Sequence, residues 1–182
     1  MNFLKETDNS WTLFLDRDGV INHEKKADYI RNVHEFIFYD GALEAFKILS
    51  KKFARIIIVT NQRGIGKGLM THDDLHSIHL FLKETVENIG GHIDAFYYAP
   101  DLESDAHNRK PNTGMARQAK KDFPEIDFEK SIMVGNNLSD MQFGKNMGMK
   151  TVFLHTTNPA QGTHNQIDCF CPTLLDFAKN IL

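Results

Sequence analysis

The sequence predicts an α/β fold in which helices cover both faces of one parallel β-sheet, giving three layers. Three observations carry this expectation. Short runs of β-branched and aromatic residues alternate with segments of helical periodicity. Polar, reactive residues follow those runs, at the strand ends where open α/β sheets place their ligands. The chain has 182 residues, 41% of them hydrophobic, enough for one core and one domain spanning 1–182.

The elements read in order as follows. "WTLFL" (11–15) is a first buried strand, and "ALEAFKILSKK" (42–52) is a helix with apolar positions at Leu43, Phe46 and Leu49. "RIIIVT" (55–60) is a second strand. Residues 72–90 form a helix with Thr71 as N-cap and acids in the first turn. "IDAFYYAP" (93–100) is a third strand, 112–123 a helix, and "SIMVG" (131–135) a fourth strand. A helix over 138–148 ends near Gly148, "KTVFL" (150–154) is a fifth strand, and 171–182 is a closing helix. Two stretches exceed plain crossovers. Residues 20–41 suggest a flap or small hairpin, and 99–111 a polar substrate loop; both are expected to shape a pocket above the sheet. No inserted segment is long enough for a large cap domain.

The net charge is −3, without the basic footprint of a nucleic-acid binder. No apolar run approaches the ~20 residues of a membrane span, and the N-terminus lacks a signal-peptide core. A cytoplasmic protein without membrane or nucleic-acid partners is expected, as a monomer. Cys169 and Cys171 read as reduced thiols in a strand. His72, His76 and His79 read as a solvated helix face. "RGIGKG" (63–68) lacks phosphate-loop spacing and reads as a flexible turn over the site.

"FLDRDGVIN" (14–22) carries the chemistry. Asp16 and Asp18 follow a buried strand and precede Gly19, whose turn can bring both carboxylates to one reacting group. One carboxylate could attack phosphorus while the other handles protons; a polar turn capped by Asp16 is the plainer alternative. "DRDGVIN", "VTNQRGIGKG", "RKPNTGM" and "VGNNLSDMQFGKNMGM" together resemble, in order and spacing, the four signature motifs of the haloacid dehalogenase (HAD) superfamily. They look most like its capless branch of heptose-bisphosphate and histidinol-phosphate phosphatases. The resemblance runs from about Leu13 to Leu154.

It implies a Rossmann-like, HAD-like phosphomonoesterase acting on a small phosphorylated metabolite, with D,D-heptose 1,7-bisphosphate ranked first and histidinol phosphate second. A non-catalytic phosphometabolite-binding relative is the rival. By position, Asp16 would be the nucleophile and Asp18 the acid and then the base. Thr60 would bond a phosphoryl oxygen, and Lys110 would balance the charge of Asp16 and the phosphate. Asn61, Gln62 and Arg109 would contact substrate. Mg²⁺ would be held by Asp16, the Asp18 carbonyl and the position occupied here by Asn136, where the family has a carboxylate. Asp140, one helical turn on, is expected to replace that charge directly or through water. Activity is expected to survive with a higher Mg²⁺ requirement. The family's zinc loop, of three cysteines and a histidine, has no counterpart in "APDLESDAHNRKP", so no structural zinc is expected there. Asp101, Glu103, Asp105 and His107 read as a solvated acidic loop.

Overall fold

The structure is a computed structural model that describes residues 3–158 and 165–182. The single-domain expectation for 1–182 therefore includes two short stretches outside the described residues. Six parallel strands form one sheet: β1 (Thr12–Leu15), β2 (Arg55–Asn61), β3 (Ala95–Ala99), β4 (Ser131–Gly135), β5 (Lys150–Leu154) and β6 (Cys169–Cys171), in the order β3-β2-β1-β4-β5-β6. The chain winds outward from β1 through β2 to β3. It then returns to lay β4 on the other side of β1. That reversal opens a crevice at the carboxyl ends of the central strands.

Seven helices are described: α1 (Phe3–Glu6), α2 (Ala42–Lys52), α3 (Arg63–Gly66), α4 (His72–Asn88), α5 (Gly114–Asp122), α6 (Leu138–Asn146) and α7 (Leu174–Asn180). The strands alternate their side chains between two cores, as a sheet buried on both faces requires. Leu13, Leu15, Ile56, Ile58, Ile132 and Val134 face α2, α4 and α7. Phe14, Ile57, Val59 and Met133 face α5 and Phe143 of α6. The three-layer expectation is met, and no separate cap domain stands over the sheet among the described residues.

Three expectations need correction. The closing helix was expected to begin at residue 171, but Cys169–Cys171 pairs in parallel with Val152–Leu154 as a sixth strand. The helix starts only after Pro172, where Thr173 caps it by accepting from the Asp176 amide. Residues 63–66 form the helical turn α3, not a flexible loop; its Gly64 is buried, and a side chain on Gly66 would collide with the Pro100 carbonyl. His79 is buried beneath α4, not solvated. An apolar neighbour, Phe96, stacks on its ring, so helical spacing alone misread that face.

The Thr71 cap is as expected, within a capping box completed by Asp74. The two cysteines point inward with sulfurs 3.9 Å apart, well beyond the ~2.05 Å of a disulfide. Residues 20–41 close on themselves through an antiparallel stem: His23 donates to the Ile37 carbonyl and Tyr39 to that of Ile21. Val20, Ile21, Ile30 and Phe36 of this segment join the main core. The segment is thus a hairpin rooted in the fold rather than a loose flap.

Phe46 of α2 is fully buried in the larger core. Phe46→Ala is expected to cost about 3–5 kcal/mol, read as a lower urea midpoint with unchanged denaturant dependence.

Candidate active site

Asp16 is the first residue past β1, and its amide extends the ladder by donating to the Val134 carbonyl of β4. Its carboxylate is nearly buried. Oδ1 accepts from the Arg17 amide at 2.8 Å and from the Lys110 ammonium at 2.9 Å. No described residue bonds Oδ2. One oxygen is therefore anchored and the other is left to react.

The turn that follows depends on Gly19. Its φ is +80°, and a Cβ there would sit 2.0 Å from Asn136 Nδ2. Glycine is thus required twice over, by conformation and by close approach. The turn is closed by the Gly19 amide donating to the Asn22 carbonyl at 2.8 Å. It returns Asp18 to the cavity that Asp16 lines.

Lys110, only 3% exposed, is delivered by the loop after β3. Its ammonium has three acceptors: Asp16 Oδ1, Asp140 Oδ1 at 2.7 Å and the Val59 carbonyl at 2.7 Å. Three donors meet three acceptors, so the cation is fixed in position. Asn61 registers the loop against β2. Its amide donates to the Lys110 carbonyl at 3.2 Å and accepts from the Lys110 amide at 3.0 Å. Asp140 is also the N3 residue of α6, and its Oδ2 accepts from the Asn137 amide. Both of its oxygens are engaged within the protein.

Asp18 is surrounded by donors. Arg17 reaches both carboxylate oxygens at 2.8–2.9 Å, Asn22 donates to Oδ1 at 2.9 Å and Gln62 to Oδ2 at 2.8 Å. Burial pushes the Asp18 carboxyl up, but the Arg17 charge and these bonds outweigh it and hold the group below its ordinary range. Gln62 Nε2 also donates to the Thr60 hydroxyl at 2.9 Å. Thr60 accepts in that bond and so keeps its own proton to donate.

Asp16, Asp18, Thr60, Asn61, Lys110 and Asp140 all line one cavity of about 130 Å³. Two expected substrate contacts are displaced. Gln62 is buried against Asp18 and Thr60, and Arg109 bonds the Leu102 carbonyl; neither lines the cavity. Asn61 lines it but gives its amide to Lys110. Glu24, from the hairpin, and Asn137 and Ser139 line it too and were missed. Glu24 has no sequence signal, because only the hairpin stem brings it over the strand ends. Asn22, also missed, lay within the quoted motif.

Asn136 is fully buried beneath Gly19, beside the turn bearing the Asp18 carbonyl. It donates to the Thr157 hydroxyl at 2.6 Å, and its Oδ1 accepts from Asn137. Asp140, expected to supply the missing metal carboxylate, is paired with Lys110 and caps α6 through the Asn137 amide. The acidic residues of loop 99–111 do not converge with His107, and among the described residues no three His, Cys, Asp or Glu side chains form a ready-made metal cluster, those lining the Asp16 cavity included.

The charge balance of the cavity invites a cation. Four carboxylates (Asp16, Asp18, Glu24 and Asp140) face one ammonium, with Arg17 behind Asp18. A phosphate dianion would add to an excess of negative charge. The available donors are hard oxygens, the set that suits Mg²⁺. The excess shows on Asp16: burial, with Asp140 and Asp18 adding to it, raises its carboxyl to about 7 against the pull of Lys110. Lys110 is itself held up, because the two carboxylates outweigh its burial.

The model of the polynucleotide kinase 3 phosphatase family matches residues 12–180. The D-glycero-α-D-manno-heptose-1,7-bisphosphate 7-phosphatase of Mycobacterium bovis is 39% identical over 140 residues, covering 76% of this chain and 74% of that one. The corresponding β-heptose enzyme of Helicobacter pylori is 34% identical over 159 residues, covering 86% and 90%. The D,D-heptose 1,7-bisphosphate phosphatase of B. bronchiseptica, solved with magnesium and phosphate, superimposes with a TM-score of 0.84 at 26% identity, covering 94% of this chain and 97% of that one.

The raised Asp16 carboxyl has a consequence for stability. In metal-free protein the folded state keeps this proton up to about pH 7, whereas the unfolded chain releases it near 3.8. The folded state therefore binds more protons in that window, and the stability Asp16 contributes at low pH is lost as pH rises through it. Asp16→Asn is expected to gain stability relative to the parent between pH 4 and pH 8, by on the order of 1–3 kcal/mol. Parallel urea-midpoint profiles for the two proteins would contradict this.

Proposed function

The chain belongs to the polynucleotide kinase 3 phosphatase family of HAD-like phosphatases, and from that premise we propose that it removes the 7-phosphate of D-glycero-D-manno-heptose 1,7-bisphosphate. The observation that carries the chemistry is the Asp16 carboxylate, with one oxygen pinned by Lys110 and the Arg17 amide and the other unbonded. The substrate assignment is supported by the relatives, whose α- and β-heptose forms make both anomers candidates.

Oδ2 of Asp16 attacks phosphorus, an aspartyl-phosphate forms, and the ester P–O bond breaks. The phosphoryl charge that the substrate brings opposes the pull of Arg17 and favours the protonated form of Asp18, which gives that proton to the leaving alkoxide. Water then attacks the aspartyl-phosphate, Asp18 takes the water's proton, and inorganic phosphate leaves with Asp16 regenerated. Thr60 donates to a phosphoryl oxygen, and Lys110 offsets the charge that accumulates there. The sugar extends from the reacting phosphoryl group along the wall formed by Glu24 of the hairpin and Asn61.

Asp16, the Asp18 carbonyl and Asn136 would hold Mg²⁺. Bound there, the ion supplies positive charge to the phosphoryl oxygens. Asn136 does not line the cavity and its Oδ1 accepts from Asn137, so it would have to turn to the ion; it would bring oxygen without charge, and the site would bind the ion more weakly than an all-carboxylate set.

Phosphate release from both heptose anomers, histidinol phosphate and a 3′-phosphorylated oligonucleotide tests the substrate. Heptose 1,7-bisphosphate is expected to be turned over with the highest kcat/KM, and a preference for the oligonucleotide would overturn the assignment. Asp16→Asn is expected to lower kcat by about 10³-fold or more with the fold intact; turnover near the parental rate would refute the covalent route. Asn136→Asp is expected to lower the Mg²⁺ concentration for half-maximal rate roughly tenfold. An unchanged requirement would remove Asn136 from the metal site.

A further inference from the structure

Arg17 is among the largest side chains that the fold buries completely, and no step above uses its guanidinium. It sits between the two aspartates in sequence but does not line their cavity. Its fork instead meets Asp18 from behind: Nη2 lies 2.9 Å from Oδ1 and 2.8 Å from Oδ2, and Nε 3.2 Å from Oδ1. The remaining nitrogen, Nη1, is 3.4 Å from Nε2 of His79 on α4. The edge of this assembly is aromatic. The Arg17 guanidinium lies 6.0 Å from the Phe36 ring centre. The His79 ring stacks on Phe96 at 4.5 Å and 19°.

Chemistry decides which way the His79 contact works. Burial first, and then the Arg17 charge, lowers the imidazole to about 3. It is therefore neutral, and Nε2 can accept from Arg17 Nη1 while the other ring nitrogen carries the proton. The guanidinium is thus fixed at both ends, by a carboxylate in front and an imidazole behind. A planar fork fixes the plane of the carboxyl it binds; an ammonium would fix only a distance. Asn22 and Gln62 hold the same carboxyl from its flanks.

We propose that Arg17 and His79 are positioning residues for Asp18, holding its carboxyl in the orientation from which it meets the leaving oxygen. The proposal rests on the reading of Asp18 as the proton donor. Neither residue touches substrate: His79 acts on Arg17, and Arg17 on Asp18. A buried ion pair that served the fold alone would affect every substrate alike. A device that aims a proton donor affects only esters whose leaving group needs the proton. An alkoxide needs it, whereas p-nitrophenolate leaves readily without it.

The test measures the first turnover, as the rate of alcohol release, on heptose 1,7-bisphosphate and on p-nitrophenyl phosphate. His79→Phe keeps the ring stacked on Phe96 but removes the acceptor. It is expected to slow first-turnover release from the sugar phosphate by about tenfold, with KM and the aryl-phosphate rate each within about twofold of the parent. His79→Gln places an amide oxygen where Nε2 accepts and is expected to restore the sugar-phosphate rate. Arg17→Lys keeps the charge but loses the fork, and is expected to show the same split, more strongly. Should that variant fail to fold by thermal melting, the two His79 variants decide. Equal loss on both esters, or no rescue by glutamine, overturns the proposal. Asp18→Asn is the reference. If it shows no split between the esters, the reading of Asp18 fails; if it does and the His79 variants do not, the relay fails.

Discussion

The Lys110 ammonium, shared among Asp16, Asp140 and the Val59 carbonyl, is the interaction on which the rest of the site depends. It joins four parts of the chain that are remote in sequence: the end of β1, the body of β2, the start of α6 and the loop after β3. A buried cation with fewer acceptors would carry a large desolvation cost, and removing the ammonium would leave two carboxylates without their cation. The arrangement is asymmetric in a useful way. One ammonium faces two carboxylates, so negative charge is left over at Asp16. That surplus makes the carboxylate hard to keep ionised alone and receptive to an added cation.

Around that centre the protein adds restraint through neutral groups. Asn61 pairs with the backbone of Lys110 and sets the loop against β2. Gln62 ties Thr60 to Asp18. Asn136 fills the space under Gly19, which only glycine can leave open. These amides bring hydrogen bonds without adding to a charge balance already weighted to the negative. Of the residues expected to touch substrate, Asn61 and Gln62 also bond to residues that would react.

The sequence motifs exposed the main reactive groups, because strand-end chemistry follows chain order: a buried run, then a polar residue, then a glycine turn. Asp16, Asp18 and Thr60 were legible that way, Lys110 only through the resemblance of "RKPNTGM" to a family motif, and the cavity brings the four together. Glu24 was not, since its place depends on the antiparallel stem between residues 21–23 and 37–39. His79 was misread for a related reason. Helical periodicity says which residues share a face, but not that Phe96 of β3 and the buried Arg17 lie opposite this one. Arg109 looked suited to a second anion, yet its guanidinium bonds the carbonyl of Leu102 within its own loop.

By itself the sequence determined the α/β class, the five longer strands, the Thr71 cap and the reactive groups at the strand ends. These follow from local rules: periodicity, propensity and the order of residues along the chain. Tertiary structure alone decided the sixth strand, the pairing of Asp140 with Lys110, and the bracing of the Arg17–Asp18 pair from α4. Each of these is a contact between elements far apart in sequence, and its partner is chosen by packing and by the need to neutralise buried charge. No local pattern in the chain encodes that choice.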